Sequence, residues 1–236
     1  MTGLLTERLR QASDNAVAMW STLARARGDA VVDHSAFTVI DGRRFRIMLR
    51  TATPGDAEKA ELINLARAKK NQGRTVVVED PFRVLDLSDG MTAGQLPVMV
   101  REPAPAPDPG QVSRVETPAE LARAEDVIVH GFPLEEYQPL EPGTVFPPAL
   151  LAQAGPAFFT KGDAGACLTM AHGGVGGAYW VTTLPEHRSQ GVGRALTHAV
   201  LRHFEDLPVT LTASRAGRPL YEKLGFVNLG DANWWR

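Results

Sequence analysis

The chain has 236 residues, enough for one large or two small domains at about 150 residues each. Hydrophobic residues make up 44% and charged residues 22%, which excludes a disordered or collagen-like chain. With 25 Lys plus Arg against 27 Asp plus Glu, the formal charge is −2, so nothing in the global field selects nucleic acid or an anionic membrane, and neither is expected as a partner.

The single cysteine, Cys167, excludes an intrachain disulfide and a cysteine-based zinc cluster, and no metal is expected. Its place in an alternating run up to His172 reads as a half-buried strand thiol rather than a nucleophile. No apolar stretch approaches the roughly 18 residues that a membrane span needs, and Met1 to Arg10 holds no apolar signal core. A cytoplasmic protein is the expectation.

In chain order, Leu5, Leu9, Ala12, Ala16, Trp20 and Leu23 recur at helical spacing, with Gly28 as a left-handed stop. Ala36 to Ile40 and Arg43 to Arg50 read as strands flanking Asp41-Gly42, a dipeptide suited to a type I′ hairpin. Thr53-Pro54 is expected to open a second helix, with Thr53 as its cap, and Gly73 to close it before a strand from Thr75 to Glu79. This half carries no phosphate loop, no cluster at metal-ligand spacing and no serine elbow. The run from Glu102 to Gly110, EPAPAPDPG, is extended and semi-rigid and reads as an interdomain linker. The expected division is 1–101, 102–110 and 111–236.

Beyond it, Gln111 to Val115 suggests a strand, Thr117 to Glu120 forms a capping box for a helix towards Val129, and Pro148 to Gln153 a short helix. Ala157 to Lys161, Cys167 to His172 and Ala178 to Leu184 read as an antiparallel meander with glycine turns. Tyr179 and Trp180 would then point to opposite faces. A helix from Gly193 to Phe204, a strand from Val209 to Ser214 and a helix from Arg218 to Leu224 follow, with closing strand positions at Phe226 to Leu229 and Trp234-Trp235.

The stretch from Val181 to Leu196, VTTLPEHRSQGVGRAL, is a strand, a proline, a glycine-containing turn and a helix start. Gly191 and Gly193 let backbone approach a ligand, and the unpaired first-turn N–H groups favour an anion such as a pyrophosphate. Arg188 and Arg194 add positive charge. A dinucleotide fingerprint needs a small residue where Leu196 stands, and a P-loop needs a Lys-Ser/Thr pair, so both are disfavoured.

Arg188-x-x-Gly191-x-Gly193 resembles the R/Q-x-x-G-x-G/A loop of the GNAT-type N-acetyltransferase superfamily. Leu220 to Phe226, LYEKLGF, resembles a second segment of that family, in the same order and spacing. The resemblance covers about 111–236 and implies an α/β (α+β) fold with a mixed, mostly antiparallel sheet flanked by helices, and acetyl-CoA as the acyl donor. It implies that Val181, Thr182 and Thr183 hold the pantetheine arm, through backbone groups at Val181 and Thr183. Arg188, Ser189, Gln190, Gly191, Val192, Gly193 and Arg194 would wrap the pyrophosphate. Tyr221 matches the family's tyrosine that protonates the leaving thiolate. Gly217 stands where the family often has asparagine.

The reaction implied is direct attack of a primary amine, on a small molecule or a peptide, in a ternary complex. The base is not legible: Glu135 and Glu136 read as surface charges, and His130, His172 and His187 as turn or surface histidines. The alternative is a non-catalytic acyl-CoA-binding or regulatory module. Residues 1–110 read as a degenerate second copy of the fold, with a cap over the acceptor pocket or a homodimer contact as the other readings.

Overall fold

The computed structural model describes residues 2–132 and 134–236; Met1 and Pro133, which fall in the opening segment and in the stretch before Glu135, lie outside the described residues. In chain order the elements are α1 (Thr2–Arg27), β1 (Ala30–Asp33), β2 (Phe37–Asp41), β3 (Phe45–Leu49), α2 (Asp56–Asn71), β4 (Val76–Asp80), β5 (Ala93–Arg101) and β6 (Ser113–Arg114). These continue as α3 (Pro118–Gly131), β7 (Pro156–Thr160), β8 (Gly165–His172), β9 (Val175–Thr183), α4 (Val192–His203), β10 (Val209–Thr212), α5 (Arg218–Lys223) and β11 (Val227–Trp235). Short 3-10 turns occupy Glu135–Tyr137, Pro148–Ala152 and Pro185–His187. No described helix is long and apolar enough to cross a membrane. The chain divides into two compact units, 1–100 with 212–236, and 101–211.

In the first unit the strands run β1-β2-β3-β4-β11-β5. β1, β2 and β3 are antiparallel neighbours, and β4 returns parallel to β3 after the α2 crossover. Phe37, Ile47, Leu49, Leu62, Val78 and Trp235 share its main core, so the last strand of the chain completes the sheet that the first hundred residues begin. Over the opposite face, α1 lays Trp20 on the guanidinium of Arg46, 3.7 Å from the ring centroid, and Arg46 donates to the buried carboxylate of Glu79.

Two local expectations are corrected here. The β2–β3 hairpin forms, but Asp41 pairs with Phe45, which leaves a three-residue loop, and Gly42 is not among the positive-φ residues. Its glycine answers a close approach instead: a Cβ there would lie 2.5 Å from Oδ2 of Asp29. The second helix begins at Asp56 with Gly55 as its cap, two residues beyond Thr53, because the carboxylate of Glu58 accepts from the Gly55 N–H at 2.8 Å. The sequence reading also passed over β1 and β5, and it divided β11 in two.

The second unit repeats the pattern in the order β10-β9-β8-β7-β6. β7, β8 and β9 form the expected meander, and β10 returns parallel to β9 after α4. α3 begins at the expected capping box, with Thr117 accepting from the Glu120 N–H and Glu120 reaching back to the Thr117 N–H. Gly173 and Gly174 turn β8 into β9 at φ 63° and 77°, whereas Gly176 lies inside β9, where a Cβ would overlap the ring of Phe204. The closeness of α4 to the sheet depends on that missing side chain.

Candidate active site

The pairing of β9 with β10 is short. Gly176 faces Val209 and Gly177 faces Thr210; β9 then continues to Thr183 without a β10 partner. In the first unit the corresponding pair, β3 and β4, is joined over four residues, from Phe45 with Val76 to Met48 with Glu79.

Beyond Gly177 β9 is irregular. The register against β8 shifts between Ala166, which pairs with Thr182, and Leu168, which pairs with Tyr179. Trp180 and Val181 together therefore face Cys167, a β-bulge that interrupts the ladder and turns the backbone. Trp180 carries it at φ 46°, a left-handed conformation that a bulky residue holds only when its surroundings impose it. Tyr179 and Trp180 are both half-buried. Trp180 packs on Phe146 with ring centroids 5.4 Å apart, and burial pushes the Tyr179 phenol up from its ordinary range. Thr182 is buried and donates from Oγ1 to the Trp180 carbonyl at 2.8 Å.

After Thr183 the chain makes the 3-10 turn Pro185–His187 and reaches α4 through two left-handed residues, Ser189 at φ 63° and Gly191 at φ 80°. Gly191 is the N-cap of α4, and nothing lies within 4 Å of the place where its Cβ would be. Its glycine is thus set by backbone conformation and leaves open space in front of the helix N-terminus. The first turn of α4 contains no acidic residue. Arg188, Ser189, Gln190 and Arg194 are exposed, and among the described residues neither arginine enters an ion pair. Val192 is buried and roots the turn. A Cβ on Gly165 would come within 2.5 Å of Val192 and 2.6 Å of the Thr182 carbonyl, so the start of α4 is seated directly on the end of β9.

Val181, Thr182, Thr183 and residues 188–194 are thereby gathered along one strand end and one helix start. Tyr221 belongs to the other compact unit. It lies on α5, is buried, and meets Phe226 edge-on with centroids 5.7 Å apart. Gly217 precedes it as the α5 cap, with its N–H bonded to Ser214 Oγ at 3.0 Å.

The histidines are dispersed. His130 pairs with Asp126 at 3.2 Å on the exposed end of α3, His172 is exposed beside the β8–β9 turn, and His187 is half-buried in its 3-10 turn. His198, one turn after Arg194, is held below its ordinary range by burial and then by the charges of Arg194 and Arg101. Glu135 is exposed and Glu136 half-buried. Cys167 is fully buried, deeper than its alternating run suggested.

One carboxylate that the sequence reading passed over stands out. Glu125 on α3 is 0% exposed. Its signal was present, since Leu121, Ala124, Glu125 and Ile128 form an apolar stripe in which an acid is out of place.

With its largely antiparallel sheet flanked by helices, the chain shares the fold of solved GCN5-related N-acetyltransferases. Residues 177–233 match the family model described as an acetyltransferase (GNAT) domain. A GCN5-related N-acetyltransferase from Kribbella flavida superposes with a TM-score of 0.64 at 20% identity, covering 95% of this chain and 94% of that one. An acetyltransferase of the GNAT family from Novosphingobium aromaticivorans gives 0.59 at 16% identity, over 87% and 89% of the two chains. A tandem GNAT protein from the clavulanic acid biosynthesis pathway gives 0.53 at 15% identity, over 88% and 81%. No curated protein matches the chain.

Proposed function

We propose that the chain transfers the acetyl group of acetyl-CoA to a primary amine. The observation that carries this reading is the parting of β9 from β10 after two residue pairs, beside an α4 N-terminus that is glycine-capped, free of acid in its first turn and flanked by Arg188 and Arg194. Converging N–H groups and two cations suit a pyrophosphate. An interrupted strand edge suits the amide-bearing pantetheine arm, to which Val181 and Thr183 offer backbone groups. Thr182, buried under the bulge, keeps that edge in place.

In the reaction the acceptor nitrogen, once deprotonated, attacks the thioester carbonyl carbon. The carbon–sulfur bond breaks and the electron pair leaves on sulfur. Tyr221 donates its phenolic proton to that sulfur, and the attacking nitrogen gives up a proton that restores the phenol through solvent, which leaves the neutral amide and free coenzyme A. Residues 111–236 carry this activity in our reading, 1–101 are a degenerate copy and 102–110 connect them; the cytoplasm is the setting. The degenerate copy is supported by the repeated order of three antiparallel strands, a crossover helix and a parallel strand in the first unit.

The test is calorimetric titration of acetyl-CoA into the chain beside a Gly191→Asp, Gly193→Asp variant, whose carboxylates repel the pyrophosphate. Saturable binding lost in the variant supports the site, and amine-stimulated thiol release supports turnover. Tyr221→Phe should then keep the binding and lower the release rate about a hundredfold. Binding without release by any amine would favour a non-catalytic acyl-CoA module; no binding would remove the donor reading.

A further inference from the structure

Glu125 is a buried carboxylate to which the proposed chemistry gives no task. Its Oε1 accepts the N–H groups of Val145 at 2.6 Å and Phe146 at 2.8 Å, and its Oε2 accepts that of Gly143 at 2.6 Å. Three charge-assisted bonds from one side chain fix a segment that has no regular structure of its own, between the 3-10 turns at Glu135–Tyr137 and Pro148–Ala152. The segment ends on Phe146, which is 1% exposed and packs its ring on Phe158 at 5.0 Å and on Trp180 at 5.4 Å. Trp180 is the left-handed residue of the β9 bulge. A contiguous path therefore runs from Glu125 through the Gly143–Phe146 backbone and the Phe146 ring to the residue that sets the direction of Val181.

We propose that Glu125 is a positioning residue for the acyl-donor site: by gripping Gly143, Val145 and Phe146 it presses Phe146 against Trp180 and holds the β9 bulge in its binding geometry. The inference rests on the acetyl-CoA reading above. A hydrophobic residue would fill the same position on the apolar stripe of α3, so the acid is explained by the three N–H groups that it orders rather than by burial. Glutamine at 125 has nearly the same shape but only one acceptor oxygen, and its NH2 must face at least one of those donors.

The experiment is a double-mutant cycle read in acetyl-CoA affinity by calorimetry, with the thermal unfolding midpoint of each protein measured alongside. Glu125→Gln and Phe146→Leu should each weaken binding about tenfold, and the double variant should bind no worse than the weaker single variant, because both break the same path. A purely structural Glu125 would lower the unfolding midpoint and leave the dissociation constant within about twofold of the unaltered chain, and this would overturn the proposal. Multiplicative losses in the double variant would overturn it as well. Should Glu125→Gln not fold, Glu125→Asp takes its place in the cycle, since it keeps the charge but draws it back from the segment. Absence of binding by the unaltered chain overturns the donor reading together with this inference; binding by that chain with uncoupled variants overturns this inference alone.

Discussion

Gly165→Ala tests how the loop is mounted. The new methyl would stand 2.5 Å from Val192 Cγ1, 2.6 Å from the Thr182 carbonyl oxygen and 3.1 Å from Leu196 Cδ1. The first of these is about 0.9 Å short of ordinary contact, and the second neighbour is backbone, tied into the β8–β9 ladder, so it cannot swing aside. The start of α4 has to lift. Overpacking of this kind costs about 1–3 kcal/mol, partly offset by about 0.4–1 kcal/mol from the stiffer unfolded chain, so a net loss of about 1–2 kcal/mol is expected. Lifting the helix start also displaces the proposed pyrophosphate loop, and acetyl-CoA affinity should fall about tenfold or more. Gly162→Ala is the control. Nothing lies within 4 Å of its Cβ, and its φ of 53° makes the cost a matter of backbone strain, about 1 kcal/mol with affinity unchanged. Urea unfolding and calorimetry on the same samples read both quantities. A Gly165→Ala protein as stable and as tight-binding as the unaltered chain would refute the seating of α4 on β9.

Arg46→Met should destabilise the chain by about 3–5 kcal/mol in urea, because it leaves the buried Glu79 carboxylate without its partner, whereas Arg46→Met with Glu79→Leu should recover most of that loss; a single variant no worse than the double would contradict this account. Cys167 should resist alkylation at pH 8 until the chain is unfolded, since burial pushes its thiol from 9.0 up to about 12. The folded state keeps a proton that the unfolded state releases, so this group's contribution is whole below about pH 9 and erodes as the pH rises towards 12, which a pH series of unfolding curves would show. Calorimetry should give one acetyl-CoA per chain; a stoichiometry of two would mean that the first unit also binds.

The second unit was largely legible. Its capping box at Thr117, its three meander strands and the loop from Arg188 to Arg194 are encoded within short windows, where periodicity, cap chemistry and glycine placement act locally. The bulge was not, because its cause lies outside β9: Trp180 is held left-handed among Phe146 and its other neighbours, and VTT reads like any strand. Glu125 went unnoticed for the same reason, since its three partners lie 18 to 21 residues away. The first unit was less legible still. Its sheet places β11 between β4 and β5, so Trp235 enters a core begined by Phe37 and Ile47, a pairing that no local window reveals.

The two units differ at the place where the proposed donor site lies. Both bring a parallel strand back beside the third strand of a meander. In the first unit the two strands are joined over four residue pairs, and the following helix meets the chain with acid: Asp56 and Glu58 occupy its first turn, and Glu58 already takes the Gly55 N–H. Backbone groups that a donor would need are satisfied internally, and an incoming phosphate would face two carboxylates. In the second unit the ladder stops after two pairs, a bulge turns the strand aside and the helix N-terminus is left without acid. Each of these features gives up hydrogen bonds or adds strain that the β3–α2–β4 segment avoids, and each becomes useful if an acyl-CoA supplies the missing partners. Strand parting, bulge and acid-free helix start occurring together, in one unit and not in its counterpart, are better explained by a ligand than by folding alone.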